Sequence, residues 1–136
     1  MIVVDASIAI KMLAREAGSD RAFARLADEA ARVAPDFCTI EVAAALAKKV
    51  RGGALSPDRA VVALGALPMI VTSTYDTHAL IGSAMQLSAS IDHALYDCIY
   101  LALAIELDGV VVTSDQKFAR SADRGGLGSS VELLIA

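Results

Sequence analysis

The chain contains 136 residues, 56% of them hydrophobic and 4% aromatic, so it can bury one sizeable core in a single domain expected to span residues 1–136. Twelve basic and 16 acidic residues give a net charge of −4, which excludes strong nonspecific attraction of nucleic acid by the whole surface but not a local basic patch. Two cysteines without a CxxC spacing, and no recognisable signal peptide or membrane-spanning run, lead us to expect a soluble, cytoplasmic protein that contacts no membrane.

Short strands alternate with helices along the sequence. Apolar and β-branched runs predict strands over residues 2–4, 33–38, 69–72, 110–112 and 131–135. Helical spacing of apolar residues predicts helices over residues 6–15, 20–30, 39–51, 57–67, 74–88 and 93–107, with a short helical turn near residue 118. This alternation favours an α/β fold in which helices flank one parallel sheet.

Local signals predict several boundaries of these elements. Ser56 followed by Pro57 is typical of a helix start. Thr39 and Asp92 are predicted to be the N-caps of the helices that follow them. Pro35 has no N–H to donate, so we expect it near an edge of the sheet or at the start of its strand.

The most distinctive stretch is LYDCIYLALAIELDGVVVTSD, from Leu95 to Asp115. It predicts a helix that is apolar on every side, and hence covered all round, followed by a turn and a buried strand. Asp97 opens the helix and Asp115 follows the strand. Because a buried carboxylate is costly unless something compensates it, these acids indicate a site.

Two further acids occupy equivalent positions. Asp5 follows the first strand directly, and Glu41 lies in the first turn of a helix, as Asp97 does. In an open parallel sheet the working site lies at the carboxyl ends of the strands, where helix starts also point. All four acids can therefore converge, and a hard cation such as Mg²⁺ or Mn²⁺ would relieve their repulsion. Such a cluster could activate water against a phosphodiester.

The segments that carry these acids resemble the signature blocks of the PIN-domain ribonucleases, in particular VapC-type toxins of prokaryotic toxin–antitoxin pairs. The segments are MIVVDASIAIKML, EVAAALAKKVRGG, YDCIYLALAIE and VVTSD. The resemblance runs from residue 1 to the last strand and implies a three-layer α/β/α sandwich that cleaves RNA with Mg²⁺ or Mn²⁺. It also implies a homodimer silenced by a cognate antitoxin. The implied metal-binding and catalytic acids are Asp5, Glu41, Asp97 and Asp115, joined by the hydroxyl of Ser7.

Other polar residues lie outside this set of acids. Lys11 and Arg15 lie on one face of the first helix, and we expect them, with Ser7, to contact substrate. The cluster Lys48-Lys49-Arg51 is either a solvated helix end or a phosphate contact. Neither His78 nor His93 is expected to be a ligand, and no aromatic stacking platform for RNA is apparent. The Ala-rich helices of residues 20–67 predict a shallow apolar groove for the antitoxin.

Two alternatives remain open at this point. The first is a catalytically degenerate PIN-like binding module, supported only by Ala44, where relatives often carry Asn. The second is a receiver-like phospho-acceptor domain, which shares the doubly wound architecture. That fold requires an acidic pair near the first strand, whereas Asp5 stands alone.

Overall fold

The computed structural model describes residues 1–135, in which five strands form one sheet flanked by eight α-helices. The strands are β1 (Ile2–Val4), β2 (Arg32–Pro35), β3 (Ser73–Tyr75), β4 (Val110–Thr113) and β5 (Val131–Leu133). The helices are α1 (Ala6–Leu13), α2 (Ser19–Leu26), α3 (Cys38–Arg51), α4 (Pro57–Gly65), α5 (Leu67–Ile70), α6 (Ile81–Ile91), α7 (Leu95–Glu106) and α8 (Gln116–Arg124). Single 3-10 turns lie at His78–Leu80 and Gly128–Ser130.

The sheet is parallel throughout, with strand order β3-β2-β1-β4-β5. Right-handed crossovers place α1–α5, which connect β1 to β2 and β2 to β3, on one face of the sheet. They place α6–α8, which connect β3 to β4 and β4 to β5, on the other face. Accordingly, α1 packs against α2, α3 and α5, while α6 packs against α7 and α8. The predicted three-layer α/β/α fold is confirmed. The strand order reverses between β1 and β4, and in open α/β sheets the ligand-binding crevice lies at the carboxyl ends of the strands at such a reversal.

Helix α7 forms the centre of the core, as its composition predicted. Every residue of Cys98–Ala104 is at most 5% exposed, and the helix packs against β1, β2 and β4 on one side and α6 on the other. Fixing α7 in this way also fixes the position of its first turn, which carries Asp97. Within residues 1–135, no helix is both long enough and apolar enough to span a membrane.

The third predicted strand is displaced along the chain. Residues 67–70 form helix α5, and the strand follows only at Ser73. Pro68 occupies the first turn of α5, where its missing N–H costs nothing. Leu67 and Ile70 are buried, whereas Met69 is 79% exposed. Buried positions three residues apart are typical of a helix. Because almost every residue of the run is apolar, this spacing could not be recognised in the sequence.

Three local predictions are wrong. Helix α3 begins at Cys38 without a side-chain cap, so Thr39 lies inside it. Asp92 ends α6 in the left-handed conformation, which a short polar side chain tolerates, and Ala94 precedes α7 instead. Pro35 is the last residue of an interior strand. The Asp36 N–H donates to the Tyr75 carbonyl of β3 at 2.8 Å, so an N–H at position 35 would face β1. Because the pairing of β1 with β2 stops at Val33, the missing N–H of Pro35 interrupts no hydrogen bond of the sheet.

The remaining boundaries agree more closely with the pattern. The side chain of Ser56 caps α4 by accepting a hydrogen bond from the Arg59 N–H at 3.2 Å, as its sequence predicted. The helix predicted over 74–88 begins too early, because residues 74 and 75 lie in β3, residues 78–80 form a 3-10 turn and α6 starts only at Ile81. The turn predicted near residue 118 is the full helix α8.

Candidate active site

The four predicted acids lie around the crevice between β1 and β4. Asp5 follows the last residue of β1, and its N–H donates to the Val112 carbonyl of β4 at 3.1 Å. Asp115 comes two residues after β4, at the N-cap of α8. Glu41 and Asp97 lie in the first turns of α3 and α7. Carboxylates are favoured there because the first turn of a helix carries partial positive charge.

Asp5 is the most buried of these acids, at 5% exposure. Its Oδ2 accepts hydrogen bonds from the hydroxyls of Ser7 at 2.7 Å and Thr113 at 2.6 Å. Burial raises the pKa of Asp5 from 3.8 to about 6, although the two hydroxyls oppose the rise. The charge of Asp97 raises this pKa further. The carboxylate is therefore well oriented but energetically unfavourable when no cation is bound.

Thr113 links Asp5 to Asp115. Its Oγ1 donates to Asp5 and accepts from the Asp115 N–H at 3.1 Å. The Asp115 Oδ1 in turn accepts from the Phe118 N–H at 3.2 Å, which caps α8. Ser7 reinforces the same turn because its Oγ accepts from the Ser114 N–H at 3.1 Å. The ends of β1 and β4 are thus tied together by hydroxyl groups.

Glu41 is oriented by an aromatic hydroxyl from the buried helix. The Tyr100 hydroxyl donates to Glu41 Oε1 at 2.8 Å. Burial raises the pKa of Tyr100, so its proton stays in place for this hydrogen bond. Burial also raises the pKa of Glu41; the Tyr100 hydrogen bond opposes this, and the charges of Asp5 and Asp97 add to it.

Asp97 is held by His93, which was not predicted to belong to the site. The His93 side chain is 4% exposed, and its Nε2 lies 2.5 Å from Asp97 Oδ2. Its Nδ1 lies 3.2 Å from the Ser121 hydroxyl, and its ring stacks on Phe118 at 5.2 Å. Burial raises the pKa of Asp97, the His93 hydrogen bond opposes the rise, and Asp115 reinforces it. One ligand atom from each of His93, Asp97 and Asp115 lies within 4.8 Å of the others.

The four acids share one feature: the protein forms side-chain or backbone contacts with a single oxygen of each carboxylate. The protein holds one oxygen of each: Oδ2 of Asp5, Oε1 of Glu41, Oδ2 of Asp97 and Oδ1 of Asp115. In residues 1–135, no side chain donates a hydrogen bond to the other oxygen of any of them. No Lys or Arg in the described chain forms an ion pair with these acids either. Oriented oxygen donors without a cationic partner fit a hard divalent cation.

The predicted substrate-binding cations lie outside this cluster. Lys11 Nζ pairs with Glu16 at 3.1 Å and with the Ala17 carbonyl at 2.9 Å. Lys49 also pairs with Glu16, at 2.6 Å, and the two lysines lower the pKa of that acid against the opposing effect of its burial. Ser7 is placed beside Asp5, whereas the exposed Arg15 pairs with Asp20 at 2.8 Å. The substrate contacts of these residues stay predictions.

Three residues of the site were missed by the sequence analysis. Thr113 and Tyr100 meet their acids across 108 and 59 residues of chain, and no local pattern indicates such pairings. His93 precedes Asp97 by four residues, next to a helix start. That spacing was the one available signal, because residues four apart near a helix can share a face.

The strand order and the acids at its reversal define a parallel α/β protein with an acidic cluster at the carboxyl ends of its central strands. The family model of the PIN domain matches residues 2–124, and the chain belongs to the PIN domain family. It is 33% identical over 118 residues to Ribonuclease VapC1 of Mycobacterium tuberculosis strains CDC 1551 and H37Rv, a match that covers 86% of this chain and 87% of each relative. The resemblance noted from the signature blocks is confirmed, and the receiver-like alternative is wrong.

A solved structure shares the fold. The crystal structure of PAE2754 from Pyrobaculum aerophilum superposes with a TM-score of 0.69 at 20% sequence identity. The match covers 88% of this chain and 83% of that one. At this identity the likeness concerns the arrangement of strands and helices alone.

Proposed function

We propose that this chain is a single-domain, metal-dependent endoribonuclease that acts as the toxin of a type II toxin–antitoxin system. The observation that carries the proposal is a set of acids that each have one oxygen held by the protein and that lie close enough for neighbouring acids to raise the pKa values of Asp5, Glu41 and Asp97. The name of the similar Ribonuclease VapC1 supports RNA as the substrate class.

Mg²⁺ or Mn²⁺ would be held by Asp5, Glu41, Asp97 and Asp115 in this proposal. When bound, such an ion activates water for attack and stabilises negative charge on the phosphodiester. The donor set fits this role because it consists of carboxylate oxygens, which hard cations prefer. Burial is the main cause of the raised pKa values of Asp5, Glu41 and Asp97, and neighbouring acids add to it. A bound cation would offset this cost of ionising the three acids.

The chain's own residues would keep this donor set in place. Ser7 and Thr113 fix the rotation of the Asp5 carboxylate, Tyr100 fixes Glu41, and His93 fixes Asp97. Ser7, Thr113 and Tyr100 donate from neutral hydroxyls, so their hydrogen bonds leave the negative charge of Asp5 and Glu41 intact for a cation.

The degenerate-site alternative receives no support from this geometry. Ala44 is exposed on α3, and Glu41 obtains its hydrogen bond from Tyr100 rather than from that position. The four acids and their partners are all present. We therefore retain a catalytic role for the site.

Partners follow from the same proposal. A groove of about 400 Å³ lies between α3 and α4, lined mainly by apolar side chains that include Ala47, Val50 and Leu64. We propose that an amphipathic segment of the cognate antitoxin occupies it and carries a basic side chain to the acids. Leu46 lines this groove but is buried, so a charge at that position would disturb the fold. Val61 also lines the groove and is exposed, so a charged residue introduced there would test the antitoxin contact. We also expect a homodimer in the cytoplasm.

The decisive experiment is RNA cleavage by the purified chain. Wild type should cut single-stranded RNA with Mg²⁺ or Mn²⁺ and lose this activity in EDTA, and Asp97→Asn should be inactive. Asp58→Asn is the matched control, since Asp58 also lies in the first turn of a helix but is exposed and outside the site. Cleavage that survives both EDTA and Asp97→Asn would refute the proposal.

A further inference from the structure

An exposed aromatic ring stands beside the acidic crevice. Tyr96 directly precedes Asp97 on α7, and its side chain is 62% exposed. Its ring stacks on Phe37, with centroids 6.1 Å apart and planes inclined by 26°. Phe37 is half-buried and packs against the core. The Tyr96 ring is therefore supported on one side and open to solvent elsewhere.

The aromatic contacts continue from this ring to the site. Phe37 also contacts Tyr100, with ring centroids 5.3 Å apart. Tyr100 donates its hydroxyl to Glu41. Tyr96 and Tyr100 are four residues apart on α7 and so lie on the same face of the helix. A series of aromatic contacts thus leads from the exposed Tyr96 through Phe37 to the buried Tyr100, which holds Glu41.

We propose that the exposed face of Tyr96 binds an unpaired base of the RNA, next to the phosphodiester that is cut; this inference rests on the proposed function. Every base has a π-face, so an aromatic platform binds single-stranded RNA with little regard to sequence. A base held in a duplex is already stacked on its neighbours and cannot use the platform. The subsite therefore selects loops and single strands.

The negative charge of the chain and of the site gives an uncharged contact such as stacking a part in RNA affinity. The chain carries a net charge of −4, and the site itself consists of carboxylates. Lys11 on α1, Lys49 on α3 and Arg15 after α1 are paired with Glu16 or Asp20. Three other cations, Lys48, Arg51 and Lys117, form no ion pair in the described chain. A rigid aromatic face adds an attraction that does not depend on the charge of the polyanion.

Binding and cleavage should both be measured, on a single-stranded oligonucleotide that contains 2-aminopurine and on the same strand in a duplex. The fluorescence of 2-aminopurine is quenched by stacking and so reports the contact directly. Wild type and Tyr96→Phe should quench it and bind alike. Tyr96→Ala should bind the single strand about tenfold more weakly, without quenching. Phe23→Ala is the control, because Phe23 is exposed on α2 at 48% and should behave as wild type.

The outcomes separate this inference from the proposed function. Binding by Tyr96→Ala within twofold of wild type, or equal weakness of Tyr96→Phe and Tyr96→Ala, overturns the stacking role. Unchanged RNA binding with weakened self-association of Tyr96→Ala would also overturn it, since the ring would then serve a protein interface. If wild type quenches 2-aminopurine through Tyr96 but cleaves nothing, the platform stands and the nuclease proposal fails. Thermal melts confirm that each variant is folded.

Discussion

Replacement of Asp5 by Asn should stabilise the metal-free protein. Both hydrogen bonds to the Asp5 side chain go to one oxygen, Oδ2, from Ser7 and Thr113. Asn can place its carbonyl oxygen at that position and keep both bonds. The substitution then removes one charge from a buried cluster without changing its shape.

The magnitude follows from the pKa of Asp5, which the fold raises from 3.8 to about 6. Each pH unit corresponds to about 1.4 kcal/mol, so the ionised carboxylate costs about 3 kcal/mol in the folded state. Between pH 3.8 and 6 the folded state binds the proton and the unfolded state does not, so the free energy of unfolding falls as pH rises. The free energy of unfolding is not reduced below pH 3.8, and it is reduced by the full amount above about pH 6. The Asp5→Asn variant has no such carboxyl group and does not suffer it.

Urea unfolding in EDTA at pH 4, 5, 6 and 7 measures the difference directly. Asp5→Asn should match wild type at pH 4 and exceed it by about 3 kcal/mol at pH 7. Mg²⁺ at a hundredfold excess over its Kd should then stabilise wild type by about 2.7 kcal/mol and the variant much less. Asp58→Asn, at an exposed helix start, should show neither effect. A difference between Asp5→Asn and wild type that does not change with pH would refute this reasoning.

Three further predictions concern the groups around the acids. Removal of the hydroxyl in Tyr100→Phe should lower Mn²⁺ affinity at least tenfold, because Glu41 loses its orienting donor. An unchanged Mn²⁺ affinity in calorimetric titration would contradict this prediction. His93→Ala should weaken Mn²⁺ binding to a similar extent. His93→Gln can still donate a hydrogen bond to Asp97 and should recover part of the lost affinity. Equal Mn²⁺ affinities of the two variants would show that the contact between residue 93 and Asp97 does not matter. RNA affinity should depend weakly on salt, since Lys11 is engaged with Glu16, and a slope equivalent to about eight phosphate contacts would exclude this view of the surface.

The sequence was sufficient to predict the frame of the site because that frame is set by local signals and chain order. Asp5 could be assigned to the end of a strand from three apolar residues before it, and the fully apolar helix fixed the place of Asp97. Once the strands are parallel, right-handed crossovers bring both to one edge. The parts that were predicted correctly are those that depend on periodicity and handedness.

The errors have different physical origins. The run from Leu67 to Thr72 is almost entirely apolar, so the period that distinguishes a helix from a strand could not be read there. The left-handed Asp92 was mistaken for a cap because Asp is suited to both positions. The aromatic platform was missed because Phe37 and Tyr96 lie far apart in sequence and meet only after α3 and α7 are packed.

The hydrogen bonds of the site also indicate how it could be controlled. Apart from His93, whose ring contacts Asp97, the side chains that hold the acids are hydroxyls, and in the described chain the nearby lysines Lys11 and Lys49 are drawn away by Glu16. In the described chain no Lys or Arg forms an ion pair with this cluster, so a cation from outside the chain is suited to it. A divalent cation supplies the positive charge in the active state that we propose, and a basic side chain of an antitoxin would supply it in an inhibited state. Because both satisfy the same oxygens, they should compete, and bound antitoxin should lower the apparent affinity for Mn²⁺.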